Sequence, residues 1–289
     1  MSTSIANQTT IAASRRTQIA SRRSAATNSL DTGHDDIAAR LPAALWDYLR
    51  PAADWTACAD IGIRAARRAG DLRGESAMLN RLGSACFGLR KAADAVDCYR
   101  EALRLRREIG HREGVGATLN NLGISYCALG QPGDAVDCYR EALVIARELA
   151  DRHGECVSLN NLGEAYQKLR RPGDAMDCHE ESLTIAIQTD DRQGEGTALS
   201  NLGRTRALLG QPGPAREYYE RALAARRHAG DRHGEAATLR DLGTLLSETG
   251  DAGAARQAWQ DCVAILDELR HPDADGVRAR LCASASQTD

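Results

Sequence analysis

The sequence has few aromatic residues and no long hydrophobic segment. Of its 289 residues, 43% are hydrophobic but only 4% are aromatic, with a single phenylalanine. No run of about 18 apolar residues occurs, so we expect no segment that spans a membrane. The formal net charge is −3, so the chain as a whole lacks the positive charge of a polyanion-binding protein. Alanine, leucine, arginine and glutamate dominate instead, and this composition favours helices.

Motifs of known catalytic chemistry are also absent. The sequence contains no HExxH metal motif, no GxxxxGK[ST] phosphate loop, and no Ser or Cys in the context of a catalytic triad. The adjacent acidic pairs 180–181 and 190–191 diverge by about 100° on a helix, which does not suit paired acid–base catalysis. The seven histidines are scattered and form no short-range cluster with cysteine. We therefore expect no enzyme, no cofactor, no metal site and no small-molecule substrate.

The nine cysteines include no CxxC pair. Cys98, Cys138 and Cys178 return at one fixed interval, a spacing that a disulfide framework does not use. We expect reduced thiols that pack as small hydrophobic residues, and hence a cytoplasmic protein.

The first 34 residues differ from the rest of the chain. Residues 1–30 carry Arg15, Arg16, Arg22 and Arg23 but no acidic residue and no helical apolar stripe. We expect residues 1–34 to form a disordered basic tail. The twin arginines are not followed by an apolar segment, so we expect no export. An organellar transit peptide, a weak polyanion-binding tail and a solvated tail without a role remain open; we favour the last.

The pentapeptide LNNLG at 119–123 returns at 159–163, and related pentapeptides stand at 79–83, 199–203 and 239–243. Such a period predicts a repeat architecture of five 40-residue blocks over residues 71–270. Each block predicts two helices of about 16 residues, each roughly 24 Å long. Asp151, Asp191 and Asp231 are placed to cap first helices. Gly130 is placed to end a first helix, and Pro132 to begin a second one.

A glycine recurs in the middle of every first helix, where it costs about 0.5–1 kcal/mol relative to alanine. Its return indicates close approach of the paired helix. We expect the small partner to be the alanine of the second helix, such as Ala135 opposite Gly123. The series of glycines is Gly83, Gly123, Gly163, Gly203 and Gly243, and that of alanines is Ala95, Ala135, Ala175, Ala215 and Ala255.

One motif recurs through the blocks, and in block 111–150 it consists of Leu119, Leu122, Gly123, Tyr126, Ala135, Tyr139 and Ala142. It resembles the tetratricopeptide repeat, although that repeat usually has 34 residues and often ends in proline, where this chain has Arg147. Forty-residue versions resemble those of kinesin light chains and Partner-of-Inscuteable scaffolds. The resemblance implies an all-α protein, a right-handed α-solenoid of helix pairs.

The two ends of the repeat region depart from the pattern, as solenoid ends do. Residues 35–70 look like a degenerate capping repeat, with Pro51 ending its first helix, and residues 271–289 like a capping helix and tail. Together, LWDYLRPAADW (45–55) and PDADGVRARL (272–281) resemble the sensor region of actinobacterial antibiotic-regulatory proteins and NB-ARC signalling ATPases. The phosphate loop of those ATPases is absent here.

The face of the first helices opposite the second helices is the predicted groove. In tetratricopeptide proteins an Asn there often binds the main chain of an extended peptide, which implies this role for Asn121, Asn161 and Asn201; an amide offers donor and acceptor together. Asn at this place can alternatively tie one repeat to the next through a backbone carbonyl, and the charged residues can select ligand charge or form a solvated face. For Asn80, Asn120 and Asn160, one residue earlier, neither role is favoured. The predicted groove residues are Arg81, Asn121, Asn161, Glu164, Lys168, Asn201, Arg204 and Asp241.

The sequence therefore predicts a non-catalytic, regulatory scaffold or adaptor that binds a protein or an extended peptide in its groove. An alternative is the detached sensor half of a transcription-regulating ATPase system, which would act with a separate DNA-binding or ATPase partner. We expect no membrane contact, and contact with nucleic acid only weakly through the basic tail.

Overall fold

The computed structural model describes residues 52–285, which form twelve α-helices and no β-strand. The expected tail at 1–34, and the first helix expected before Pro51, lie outside this range. The helices are α1 (Ala52–Ala69), α2 (Leu72–Gly88), α3 (Ala92–Glu108), α4 (Arg112–Ala128), α5 (Pro132–Glu148), α6 (Arg152–Lys168), α7 (Pro172–Gln188), α8 (Arg192–Leu208), α9 (Pro212–Ala229), α10 (Arg232–Glu248), α11 (Ala252–Glu268) and α12 (Ala274–Ala285).

The described residues fall into two compact units: unit 1 ends at Glu141, and unit 2 begins at Ala142. In unit 1, α1 packs against α2, α2 against α3, and α3 against α4. In unit 2, the helices from α6 to α12 do the same. Each unit is thus built of helix pairs that recur every 40 residues, as the repeat predicts.

The predicted aspartate caps are confirmed. The Oδ1 atom of Asp151 accepts a hydrogen bond from the backbone N–H of Gly154 at 2.9 Å, and Asp191 and Asp231 cap α8 and α10 in the same way. Each bond satisfies one of the backbone donors left open at a helix N-terminus. The turn between α4 and α5 also follows the prediction, because Gly130 has a left-handed φ of 73° and α5 begins at Pro132.

The motif DRHGE has a second function that sequence analysis missed. The buried carboxylate of Glu155 binds Arg147, eight residues earlier, at 2.9 Å, and also Arg152 at 2.6 Å. The same link joins Arg227 to Glu235 at 2.6 Å in unit 2. These ion pairs connect the last turn of one second helix to the first turn of the next first helix.

The nearest neighbours of the repeat glycines are the large residues of the second helix and not the expected alanines, although the backbone oxygen of Ala215 also lies 3.2 Å from a Cβ added to Gly203. A Cβ atom added to Gly123 would lie 2.5 Å from a ring carbon of Tyr139, and one added to Gly163 would lie 2.3 Å from the ring of His179. The remaining glycines face large rings in the same way, in the pairs Gly83–Tyr99, Gly203–Tyr219 and Gly243–Trp259. Glycine is therefore required so that a ring can pack closely against the first helix.

The C-terminal end of unit 2 has one continuous apolar core. Residues of α9, α10 and α11 share it with Ala274 and Val277 of α12, the helix found where a short capping helix was expected. No helix within residues 52–285 is long and apolar enough to cross a membrane. All nine cysteines are free thiols, and Cys58, Cys86, Cys138, Cys156 and Cys262 are buried.

Candidate functional site

The predicted groove residues lie on first helices in both units. In unit 1, Arg81 on α2 and Asn121 on α4 are half-buried. In unit 2, α6, α8 and α10 carry the other six. Five of these have part of their side chain in solvent, and we call their surface the α6–α8–α10 face: Asn161, Glu164, Lys168, Arg204 and Asp241.

Opposite charges alternate along this face. The guanidinium of Arg204 on α8 donates a hydrogen bond to Asp241 on α10 at 3.1 Å and lies 3.9 Å from the carboxylate of Glu164 on α6. Arg240, beside Asp241, donates to the same carboxylate at 3.2 Å. Three successive first helices are thereby connected by charged side chains of which 19–44% remains exposed. Partly exposed ion pairs of this kind stabilise a fold by about 0–1 kcal/mol each. Replacing one partner of such a pair by a charged group of a ligand therefore costs little free energy.

Burial and nearby charges change the pKa of Arg204 on this face and of the buried Tyr219 on α9. Burial of its guanidinium lowers the pKa of Arg204, but the charges of Asp241 and Glu164 together with the hydrogen bond to Asp241 outweigh burial, so the net pKa lies above its usual value. Burial, and then the charge of Asp241, raise the pKa of the Tyr219 hydroxyl. Arg204 therefore stays cationic and Tyr219 neutral at physiological pH.

Asn201 differs from the other predicted groove residues because only 2% of it is exposed. Its Nδ2 donates to the Oδ1 of Asn160 on α6 at 3.5 Å. Asn201 thus contacts the neighbouring repeat, as the alternative interpretation predicts, but through a side-chain oxygen and not through the expected backbone carbonyl. Asn160, to which sequence analysis gave no function, is the other half of this tie, and its own Nδ2 donates to Ser182 Oγ at 2.7 Å.

Sequence analysis also missed Gln167, which connects α6 to α8. Its Nε2 donates to Thr205 Oγ1 at 2.6 Å and to the backbone oxygen of Asn201 at 3.2 Å. It also lies 3.4 Å from Nε2 of the fully buried His179. Gln167 stands where the other repeats carry unlike residues, such as Cys127, so the repeat pattern alone gave no signal for it.

His179 occupies the position where neighbouring repeats have Tyr139 and Tyr219. It is 0% exposed, and its Nδ1 has no hydrogen-bond partner. Burial, and secondly the positive charge of Arg204, lower the pKa of His179 to about 3. His179 is therefore a neutral residue of the core at physiological pH. No cluster of three or more His, Cys, Asp or Glu side chains within residues 52–285 has the geometry to hold a metal ion.

None of the curated proteins searched matches the chain in sequence. Solved structures share its fold. A Rap conjugation gene regulator of the plasmid pLS20, solved in complex with the Phr* peptide, aligns with a TM-score of 0.67 at 14% identity and covers 89% of this chain and 77% of its own. BtubC from P. vanneervenii aligns with a TM-score of 0.59 at 22% identity and covers 81% and 93%.

A third similar structure is a signal transduction ATPase with numerous domains from Pyrococcus horikoshii, which has a tetratricopeptide repeat sensor. It aligns with a TM-score of 0.60 at 15% identity, covering 88% of this chain but 41% of the ATPase. The family model described as tetratricopeptide repeat matches residues 74–148, 154–228 and 215–268. These segments span more than half of the sequence, and the helix pairs, the repeat glycines and the 40-residue period all follow that pattern. The chain belongs to the tetratricopeptide repeat family.

Proposed function

We propose that this chain is a non-catalytic, regulatory scaffold or adaptor of the cytoplasm that binds a protein or an extended peptide through its first helices. The observation that carries the proposal is the α6–α8–α10 face, where an amide, two cations and two carboxylates stand at repeated positions of three helices. The amide of Asn161 can donate to and accept from a peptide main chain. Glu164, Lys168, Arg204 and Asp241 can pair with ligand side chains of both signs.

The structural relatives support this choice. The Rap regulator of similar fold was solved with a bound peptide, so a fold of this kind has room for one. In unit 1, Arg81 and Asn121 occupy the equivalent first-helix positions, and we assign them the same task. We propose no function for small molecules or membranes, and we limit contact with nucleic acid to a weak one through the basic tail.

Selection from a random peptide library displayed on phage, with the full chain as bait, tests the proposal. A selected peptide carrying a fluorophore is then titrated against the wild type and the double variant Asn161→Ala/Lys168→Ala. Loss of about 1 kcal/mol per hydrogen bond or ion pair predicts at least fivefold weaker binding. The control is Glu217→Ala on α9, an exposed second-helix residue, which should keep wild-type affinity.

Unchanged circular dichroism shows that the variants are folded. Equal affinity of the double variant and the wild type would exclude the α6–α8–α10 face as the binding surface. Equal weakening by Glu217→Ala would instead locate binding on the second helices.

A second candidate function is the detached sensor half of a signalling ATPase system. The observation that favours it is the alignment of 88% of this chain with the ATPase that has a tetratricopeptide repeat sensor. Co-expression with a P-loop regulator encoded beside the gene, followed by co-purification, tests it. A stable complex whose ATP hydrolysis changes with this chain supports the sensor function, and the absence of a complex speaks against it.

A further inference from the structure

One repeat carries an arginine at a position where other repeats carry a core residue. The fourth position of the repeat motif holds Tyr126, Tyr166 and Leu246, all of them buried. In the repeat of α8 and α9 this position is Arg206, which lies in the last turn of α8 and is only partly buried. Burying an unpaired guanidinium is costly, and the side chain of Arg206 accordingly reaches a hollow at the surface.

This hollow has a volume of about 280 Å³, and α9 provides the rest of its lining. Glu217, Tyr218 and Arg221 stand three, four and seven residues after Pro214, so these four residues share one face of the helix. The guanidinium of Arg221 lies over the ring of Tyr218, 5.6 Å from the ring centroid. We call the hollow the Arg206–Arg221 site.

The two arginines of this site differ from the others on the same helices in their pairing. Arg206 donates to the neutral Gln211 Oε1 at 2.8 Å, and Arg221 stacks on Tyr218. Within the part of the chain that the structure describes, neither of them forms an ion pair. The remaining five of the seven arginines on α8 and α9 all bind a carboxylate, in the pairs Arg192–Glu195, Arg204–Asp241, Arg216–Glu220, Arg226–Asp231 and Arg227–Glu235. The two guanidinium groups without a carboxylate partner thus line the same hollow.

Glu217 is the acidic residue of the site. It stands four residues before Arg221, a spacing at which glutamate and arginine often pair on a helix, but Arg221 lies over Tyr218 instead. Glu217 is exposed, so water and salt screen its charge. The site therefore keeps an excess of positive charge, from two guanidinium groups against one carboxylate.

A phosphoryl group matches two guanidinium groups better than a carboxylate does. Each guanidinium presents its N–H donors in a planar fork that binds two oxygens at once. The two oxygens of a carboxylate are occupied by one such fork. A phosphorylated side chain offers three oxygens and a charge of about −1.5 to −2 at pH 7, so it can bind both arginines.

The site continues along α9. Arg221 also lines a second hollow, of about 390 Å³, together with Ala224, Ala225 and His228. From Pro214 to His228 the helix rises about 21 Å at 1.5 Å per residue, which is the length of roughly six residues of extended chain. The surface therefore suits a segment of a protein chain that carries the phosphoryl group.

We propose that the Arg206–Arg221 site binds a phosphorylated side chain of a partner protein, with the phosphoryl oxygens between the two guanidinium groups and the adjoining segment along α9. Phosphorylation then controls binding, because the unmodified side chain brings no negative charge to the arginines. The site lies on α9 and the last turn of α8. It is a second interaction surface, and it does not depend on peptide binding at the α6–α8–α10 face.

NMR titration of the full chain with two blocked pentapeptides, acetyl-Gly-Gly-phosphoserine-Gly-Gly-amide and its phosphotyrosine counterpart, tests the proposal. The Nε–H signals of Arg206 and Arg221 should shift with at least one of them. Those of Arg216 and Arg227, which bind carboxylates on the same helix, should not. The unphosphorylated peptides, and a peptide with glutamate at the central position, should bind at least fivefold more weakly.

Four variants locate the site by their affinity for the phosphopeptide that binds. Arg221→Gln should weaken binding at least fivefold, because it removes a charge-assisted hydrogen bond. Arg206→Tyr should weaken it similarly, and it introduces the residue that stands at positions 126 and 166. Arg216→Gln, the matched control, removes a paired arginine of α9 and should keep wild-type affinity. Glu217→Gln should strengthen binding, since it removes the repelling charge.

The absence of shifts at Arg206 and Arg221 with both phosphopeptides would overturn the proposal, as would equal weakening by Arg221→Gln and Arg216→Gln. Equal affinity for the glutamate peptide would overturn the assignment to a phosphoryl group. Inorganic phosphate that binds as tightly as the phosphopeptide would overturn the assignment to a protein partner. These variants leave Asn161, Arg204 and Asp241 unchanged, so failure here leaves the α6–α8–α10 proposal standing, and failure there leaves this site standing.

Discussion

Replacing His179 by tyrosine should remove a pH-dependent loss of stability. His179 is fully buried, and burial with the nearby charge of Arg204 lowers its pKa to about 3. In the unfolded chain the same imidazole has a pKa of about 6.5. Between these values the unfolded state binds a proton that the folded state does not, so stability falls as the pH falls. The full contribution is present above pH 6.5 and is lost progressively towards pH 3.

The size of this effect follows from the two pKa values. Each pH unit below 6.5 shifts the free energy of unfolding by about 1.4 kcal/mol, so at pH 5.0 the loss is about 2 kcal/mol. Tyrosine stands at the equivalent positions 139 and 219, where its ring lies against the repeat glycine. The variant His179→Tyr should therefore fold, and it carries no group that titrates between pH 5.0 and 7.5.

Urea denaturation followed by circular dichroism at pH 7.5 and pH 5.0 checks the prediction. The free energy of unfolding should fall between these pH values by about 2 kcal/mol more in the wild type than in His179→Tyr. Subtracting the variant cancels the titration of all other groups. His179→Phe, which lacks the hydroxyl, is a second control and should match His179→Tyr in its pH response. The same pH response in the wild type and both variants would refute the assignment of a lowered pKa to His179.

Further variants test the packing and the buried ion pairs by thermal or urea denaturation. Gly163→Ala should lower the free energy of unfolding by about 1–3 kcal/mol, because the added Cβ would lie 2.3 Å from the ring of His179. The control is Gly173→Ala, whose added Cβ meets no atom within 4 Å. It should leave the free energy of unfolding unchanged or raise it by up to about 1 kcal/mol. A loss of stability as large in the second variant as in the first would contradict the packing explanation. Glu155→Gln removes the charge of a buried carboxylate that binds two arginines, and it should lower the free energy of unfolding by about 1–3 kcal/mol. The control is Glu181→Gln, which removes the charge of an exposed ion pair. It should change the free energy of unfolding by no more than about 0.5 kcal/mol. Equal effects would show that the buried pair contributes no more than a surface pair.

The sequence predicted the helix pairs because their signals repeat. A leucine pair, a glycine and an aspartate cap at a fixed 40-residue interval place the first helices, and Gly130 with Pro132 places a turn. The partner of the glycine was predicted wrongly, since spacing shows that two helices approach closely but not which side chain fills the contact. The ring of Tyr139 satisfies the same spacing as the small Ala135.

The buried polar contacts between α6 and α8 could not be predicted from the repeat, because they arise where the repeat is broken. Gln167, His179 and Ser182 each replace a residue of a different kind in neighbouring blocks, and only the structure shows that Gln167 lies beside His179 and that Ser182 binds Asn160. Asn160 and Asn201 belong to different blocks and pair across the helices. A pattern within one block contains no information about contacts between blocks. By contrast, helical spacing alone placed the half-exposed Asn161 and Glu164 on the surface of a first helix.

Photo-crosslinking of a library-selected peptide, with each crosslinked residue identified by mass spectrometry, tests the central claim most directly. The α6–α8–α10 face predicts crosslinks on the first helices of unit 2, within reach of Asn161, Arg204 and Asp241. Crosslinks confined to the second helices α7, α9 and α11 would contradict it.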